Sequence, residues 1–359
     1  MNTHPNDIIH LLPGPVELEE QVIDEFHCRP VSHRSDEFML DFQYLKAKLN
    51  HLVNSKYVEV LSGSGTLANE TVAAQLSQNS EQGLILTNGE FGERLLSQAN
   101  RYNLKFFTWS VSWGEPFSYQ ELDEFVGKNR QIKWIWAVHS ETSTGVLNDL
   151  DTLKGICQSR TIKLCLDCIS SIGIIPVNLE NVYLASCSSG KALCSFPGLS
   201  MVFYNHEITT SPDIPKYLDL GYYRSADGIP YTISSNLVYA LTRAVESFYK
   251  QENIYSSIEK NSAMIRAGLI QSKIRIVNAA RTSSPAIVTI ELPYQINSVE
   301  FGNDLKKRNC LISYQSCYLV KRNWIQTFIT RNTTKAKIIR FLEIVNSKLE
   351  APVNHPFTT

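Results

Sequence analysis

Residues 186–198 read SCSSGKALCSFPG, and Lys191 is the only charged residue between Val182 and Tyr204. An amine in such a setting has two readings. It can be a strand-end lysine whose stem lies on apolar surface while the ammonium reaches water. It can also be a partly desolvated amine of lowered pKa, able to form a Schiff base with a carbonyl. Other groups with chemical potential follow other apolar segments. SGSGT (62–66) follows YVEVL and opens a helical stretch, so it offers backbone N–H groups and a positive dipole end to a phosphate. NGEFGER (88–94) places Phe91 after LILT, HSETSTG (139–145) follows IKWIWAV, and Asp167 follows IKLCL.

These groups need a scaffold that brings them together. Residues 57–205 give seven short apolar segments: YVEVLS, LILT, KFFTWSV, IKWIWAV, IKLCLD, VYLASC and LSMVFYN. Segments so continuously apolar suit strands covered on both faces by helices, and the stretches between them carry helical spacing. The fold class read from this is α/β, with a three-layer α/β/α large domain and a mainly parallel seven-stranded sheet. The last two segments are too close for a crossover helix, so one of them can run antiparallel. In such a sheet, ligands bind beyond the carboxyl ends of the strands. Lysine, carboxylate, aromatic ring and phosphate cradle then meet at one edge, which is what pyridoxal 5′-phosphate requires.

Each feature also has a plain structural reading: SGSGT as a tight strand–helix turn, Asp167 as a helix cap. As a dinucleotide fingerprint SGSGT lacks the third glycine. Cys165 and Cys168 form a CxxC, but KLCLDC reads as a buried strand, and no second pair stands at metal-ligand spacing. No metal site is expected.

The chain has 359 residues, 19% charged and 43% apolar, with a net charge of −1. That balance gives no electrostatic footprint for nucleic acid or an anionic membrane. No apolar run approaches ~20 residues, and the start lacks the pattern of a signal peptide, so a cytoplasmic protein is expected. The expected organisation is an N-terminal arm (1–20), a large cofactor-binding domain (21–245), a small α+β C-terminal domain (246–350) and a tail (351–359). The small domain is read as one long polar helix near 247–272, strands IRIVNA and PAIVTIEL, a helix from 298, strand-like LISYQ and WIQTFI, and a last helix from 335.

The order PGPV, SHRS, SGSGT, NGEFGER, HSETSTG, DCISSIG, SSGK, PGLS resembles the class V, fold-type I aminotransferases, in particular the 2-aminoethylphosphonate–pyruvate and alanine/serine–glyoxylate transaminases. The likeness covers about residues 10–350 and is specific from 62 to 198. It implies a homodimer with shared active sites that moves an amino group between a small amino acid or amine and a 2-oxo acid or aldehyde. By that resemblance Lys191 forms the aldimine with the cofactor and shuttles the proton, and Asp167 pairs with the pyridine nitrogen. Phe91 stacks on the ring and Ile169 meets its other face. Ser64, Gly65 and Thr66 form the phosphate cup, Thr142 lies near the phenolic oxygen, and Thr232, in GIPYT, reaches a partner's phosphate.

Two positions depart from the pattern. Gly190 stands where the family usually has an amide before the lysine. In WIQTFIT (324–330) Ile325 takes the place of the arginine that grips a substrate carboxylate, and Arg331 and Arg34 are the candidate substitutes. The departure suggests a substrate whose distal group is neutral or differently placed. Two alternatives stay open: a lyase or desulfurase of the same fold using Cys317, and a non-catalytic pyridoxal-phosphate-binding protein.

Overall fold

The computed structural model describes residues 8–278 and 282–349, so the start of the arm and the 351–359 tail lie outside the described residues. The seven apolar segments form one sheet from β1 (Tyr57–Gly63), β2 (Gln82–Thr87), β3 (Phe106–Ser110), β4 (Ile132–Val138), β5 (Lys163–Asp167), β6 (Leu184–Ser188) and β7 (Gly198–Tyr204), in the order β1-β7-β6-β5-β4-β2-β3. Strand β7 is antiparallel to β6 and β1, and the other pairs are parallel. The short link from β6 to β7 is the reason, because a parallel return needs a crossover of a dozen residues or more.

Strand β4 shows why the segments read as continuously apolar. Ile135 and Ala137 join the core on one face, and Trp134, Trp136 and Val138 join the core on the other. Alternation along a strand is therefore hidden when both faces are covered. Helix α1 (Asp36–Val53) buries Phe38, Phe42, Leu45 and Leu49 on the first face. Helices α2 (Gly65–Ser77) and α3 (Glu90–Arg101) bury Val72, Leu76, Leu95 and Ala99 on the second.

The C-terminal part is a smaller antiparallel sheet, β8 (Arg275–Ile276), β9 (Ile287–Glu291) and β10 (Trp324–Phe328), in that order. The single helix expected near 247–272 is instead two, α4 (Ser235–Lys250) and α5 (Ile254–Gln271). Between them Gln251 is extended and Asn253 takes φ 58°, a left-handed conformation that Asn tolerates better than most residues. The Gln251 amide reaches Glu19 Oε1 at 3.2 Å, so a tertiary contact holds the break. Among the described residues the IRIVNA segment pairs over Arg275–Ile276, with the Val277 N–H also donating to Thr289 O at 2.9 Å, and LISYQ meets β10 by the Ser313–Gln326 bridge.

The arm serves both parts. Ile9 and His10 pair in parallel with Cys310 and Leu311. Ile9, Leu11 and Val16 share a core with Ile287 and Ile325 of the C-terminal part and with Ile174 and Ala192 of the part that carries the seven-stranded sheet. Among the described residues no helix is long and apolar enough to cross a membrane, and no group of three or more His, Cys, Asp or Glu is placed to hold a metal.

Candidate active site

At the carboxyl ends of β1, β2, β4, β5 and β6 lies a cavity of about 520 Å³. Its wall carries Ser64, Gly65 and Thr66 from the start of α2, Phe91 from α3, Thr142 from the turn after β4, Asp167 and Ile169 from the end of β5, and Lys191 after β6. Residues as distant in the chain as Ser64 and Lys191 thus share one space.

Lys191 Nζ makes no hydrogen bond to the protein among the described residues. Burial lowers its pKa, the Asp167 charge acts against that, and the Arg94 charge adds to it. Gly14 of the arm lies against this side chain, since a Cβ there would stand 3.0 Å from Lys191 Nζ. Any larger residue at position 14 would restrict the amine. Gly190 is demanded by packing in the same way: a Cβ would meet Pro197 Cα and Cβ at 2.8 Å. The usual amide side chain has no room before this lysine.

Asp167 is buried and accepts from Asn69 Nδ2 at 2.7 Å and from the Ile169 N–H at 3.0 Å. Asn69 is fixed in turn by Ser186 Oγ, which donates to its Oδ1 at 2.6 Å. Burial raises the Asp167 pKa, while the two donors and the Lys191 charge pull it down. A carboxylate with open lone pairs on a buried cavity wall calls for a cationic or N–H partner.

Ser64 precedes α2 without capping it through its side chain, and the Leu67 N–H donates to Ser64 O at 2.9 Å, so the Gly65 and Thr66 N–H groups are what the helix start offers a ligand. A Cβ on Gly65 would stand 2.7 Å from Ile169 Cδ1, so only glycine lets the cradle close on that side chain. An unbonded amine, an under-paired carboxylate, a helix start and a flanking aromatic fit the donor set that pyridoxal phosphate requires.

The remaining candidates lie elsewhere. Thr232 is exposed and does not line the cavity of its own chain. Arg34 is exposed and also off the cavity wall. Arg331 is 1% exposed, with Nε on Glu19 at 3.1 Å, Nη1 on Leu193 O at 3.2 Å and Nη2 on Ala244 O at 3.0 Å. Its donors are already committed to Glu19 and to the Leu193 and Ala244 carbonyls, so in this arrangement it offers no grip for a substrate. Ile325 is fully buried in the core around β9 and β10 rather than on the cavity wall. Ile325→Arg would therefore bury an unpaired guanidinium. Cys317 is exposed at the start of a short helix, away from the cavity wall.

Sequence reasoning missed Asn69, Gly14, Glu70, Arg94 and Arg101, all on the wall. Asn69, three positions after Thr66, and Arg94, three after Phe91, were within reach of helical spacing. Gly14 was not, because only the tertiary fold brings the arm to Lys191.

Residues 23–222 match the family model described as Aminotransferase class-V. An uncharacterized aminotransferase of Methanocaldococcus jannaschii is 26% identical over 312 residues, covering 83% of this chain and 81% of that protein. The 2-aminoethylphosphonate–pyruvate transaminase of Lysinibacillus sphaericus is 24% identical over 319 residues, covering 84% of this chain and 87% of that one. The crystal structure of pyridoxamine–pyruvate aminotransferase from Mesorhizobium loti superposes with a TM-score of 0.90 at 18% identity, over 98% of this chain and 94% of that one.

Proposed function

We propose, for a chain that belongs to the aminotransferase class-V family, that amino transfer takes place in the cavity around Lys191. The enzyme is a pyridoxal-phosphate-dependent transaminase of fold type I. One observation carries the assignment of the site: an unbonded, burial-depressed lysine amine shares a cavity with an under-paired buried carboxylate.

The cofactor, when bound, supplies a carbonyl for amines and a ring that withdraws electrons from the carbon carrying the amino group. The protein's residues supply the rest. Lys191, with its pKa lowered, is a base that takes a proton from the substrate carbon and returns it at the neighbouring position. Asp167, held by Asn69 and the Ile169 N–H, would keep a proton on the ring nitrogen. Phe91 and Ile169 would hold the ring. Ser64, Gly65 and Thr66 would hold the phosphate, with Pro197 in the space an amide side chain at position 190 would need. Thr142 would face the ring, and its own hydroxyl donates to Ser170 Oγ at 2.7 Å.

The donor and acceptor are a small amino acid or amine and a 2-oxo acid or aldehyde. With Ile325 in the core and Arg331 committed to Glu19, a carboxylate would be met by Arg94 and Arg101, the arginines on the cavity wall. A substrate with a neutral distal group needs neither. The homodimer belongs to the same proposal, because Thr232 is exposed and outside its own cavity, as a residue completing a partner's site must be. A cytoplasmic setting belongs to the same proposal. The test is to incubate the purified enzyme with a panel of amino donors, each with pyruvate or glyoxylate, and assay the new amino acid. Borohydride reduction should fix the cofactor on the peptide that contains Lys191. Label on another lysine, or no amino product from any donor, would overturn the reading.

A further inference from the structure

Glu141, in HSETSTG, is fully buried, and no Lys or Arg pairs with it among the described residues. Its carboxylate accepts instead from the Gly92 N–H at 2.9 Å, the Phe91 N–H at 3.3 Å and the Ser143 N–H at 3.0 Å, and from the Ser143 hydroxyl. Ser143 Oγ itself accepts from the Glu90 N–H at 3.0 Å. The first turn of α3, which carries Phe91, therefore hangs on this one turn. A Cβ on Gly89 would lie 2.6 Å from Glu141 Cγ, so the fit has no slack.

The small domain grips the same turn from behind. Gln326 of β10 is fully buried and donates through Nε2 to Thr142 O and, at 2.7 Å, to Thr289 Oγ1. Thr289 of β9 donates to Ser143 O at 3.2 Å. The Tyr318 hydroxyl meets Gln326 Oε1 at 3.4 Å. Neither Glu141 nor Gln326 lines the cavity, yet the residues they hold, Phe91 and Thr142, do.

We propose that Glu141 and Gln326 are positioning residues, and that the turn Glu141–Ser143 couples the small-domain sheet to the ring-facing walls of the cofactor site. The inference rests on the assignment of the cavity to pyridoxal phosphate. Hydrogen bonds of fixed geometry have a definite length and direction, so a shift of β10 is carried to Thr142 directly and to Phe91 through Glu141. A merely structural turn would affect unfolding alone, whereas a positioning turn alters the surroundings of the bound ring.

The experiment compares holoenzyme of wild type, Gln326→Leu, Glu141→Gln, Phe91→Ala and the Gln326→Leu/Phe91→Ala double variant. It records visible circular dichroism of the bound cofactor, the rate of cofactor loss on dilution, and the urea midpoint. Gln326→Leu keeps the shape and removes the donor, and it should speed cofactor loss about tenfold, mid-range for coupled contacting residues. It should also reduce the dichroic band. Glu141→Gln should do the same in direction, and it guards against a Gln326 variant that fails to fold. The double variant should lose cofactor more slowly than the product of the two single effects predicts, because the route through Phe91 is already gone and only the Thr142 route remains. Multiplying rates in the double variant, or unchanged dichroism and cofactor loss in both Gln326→Leu and Glu141→Gln, overturn the inference and leave the transaminase reading standing. A wild type that takes up no pyridoxal phosphate overturns both.

Discussion

Asp167 ends β5 and Glu141 follows the neighbouring parallel strand β4; both are buried carboxylates, and the protein satisfies them differently. Glu141 accepts four hydrogen bonds and does not line the cavity around Lys191. Asp167 accepts two and lines the cavity that holds Lys191. Burial raises the pKa of both, with hydrogen bonds opposing it. The difference lies in completeness. A buried charge whose donors all come from the protein is part of the scaffold, and one left partly open is available to a ligand.

That contrast breaks most sharply at the open pair. Lys191→Ala should cut turnover by about 10⁴-fold, the upper range for a proton-transfer group. Asp167→Asn should cost about 10³-fold in turnover while the cofactor stays bound, as for loss of a charge that stabilises the reacting system. Full activity in either variant, measured at saturating substrate with cofactor occupancy checked by absorbance, ends the account of the open carboxylate.

His139 follows β4, two residues before Glu141, and supplies the next largest effect. It is buried with Nδ1 on Ser171 Oγ at 3.0 Å, and desolvation lowers its pKa from 6.5 to about 4. A depressed folded-state pKa stabilises above the unfolded value and is lost as pH falls through the folded one. The window is therefore pH 6.5 to 4, and the loss amounts to about 3 kcal/mol at 1.36 kcal/mol per pH unit. Urea unfolding of the holoenzyme at pH 7 and pH 4 should show a smaller drop in His139→Gln than in wild type. Equal drops would show that His139 does not carry the acid sensitivity.

Arg331 tests whether a closed pair belongs to the scaffold alone. Arg331→Ala removes the charge partner of Glu19 and strands two carbonyl oxygens, which should cost about 3 kcal/mol of stability, the low end for a buried pair because Glu19 is partly exposed and keeps Ser247, Gln251 and Gln21 as donors. The KM for a carboxylate donor should not move once the variant is folded. A large KM change with unchanged stability would return Arg331 to the role suggested by the sequence.

The smallest effect is expected on the cavity rim. Arg94 stands 4.8 Å from the Phe91 ring centre, and its acid partner Glu90 forms an i,i+4 pair on a half-exposed helix face. Such pairs contribute only about 0.3–0.5 kcal/mol, so the guanidinium can be released to a substrate. Arg94→Ala and Arg101→Ala should each raise KM for a carboxylate donor about tenfold, as for loss of a hydrogen bond to a charged group. An amine lacking a carboxylate should be unaffected. Equal sensitivity of both substrates would remove these arginines from substrate recognition.

The sequence by itself determined the sheet and the cofactor chemistry. Its seven apolar segments became the seven strands, and Lys191, Asp167, Phe91, Thr142 and the SGSGT turn share one cavity because each follows a strand that ends at the same edge. Local pattern carries that information, since strand ends and helix starts are set by short stretches of chain. What the tertiary structure alone decided lies in contacts between distant segments. The α4–α5 break is held by Gln251 and Glu19, Arg331 is bound to the arm, and Ile325 packs in the core while its neighbour Gln326 reaches the Thr142 carbonyl. Adjacent residues on a strand point to opposite faces, and only the packing of β10 fixed which face met the site.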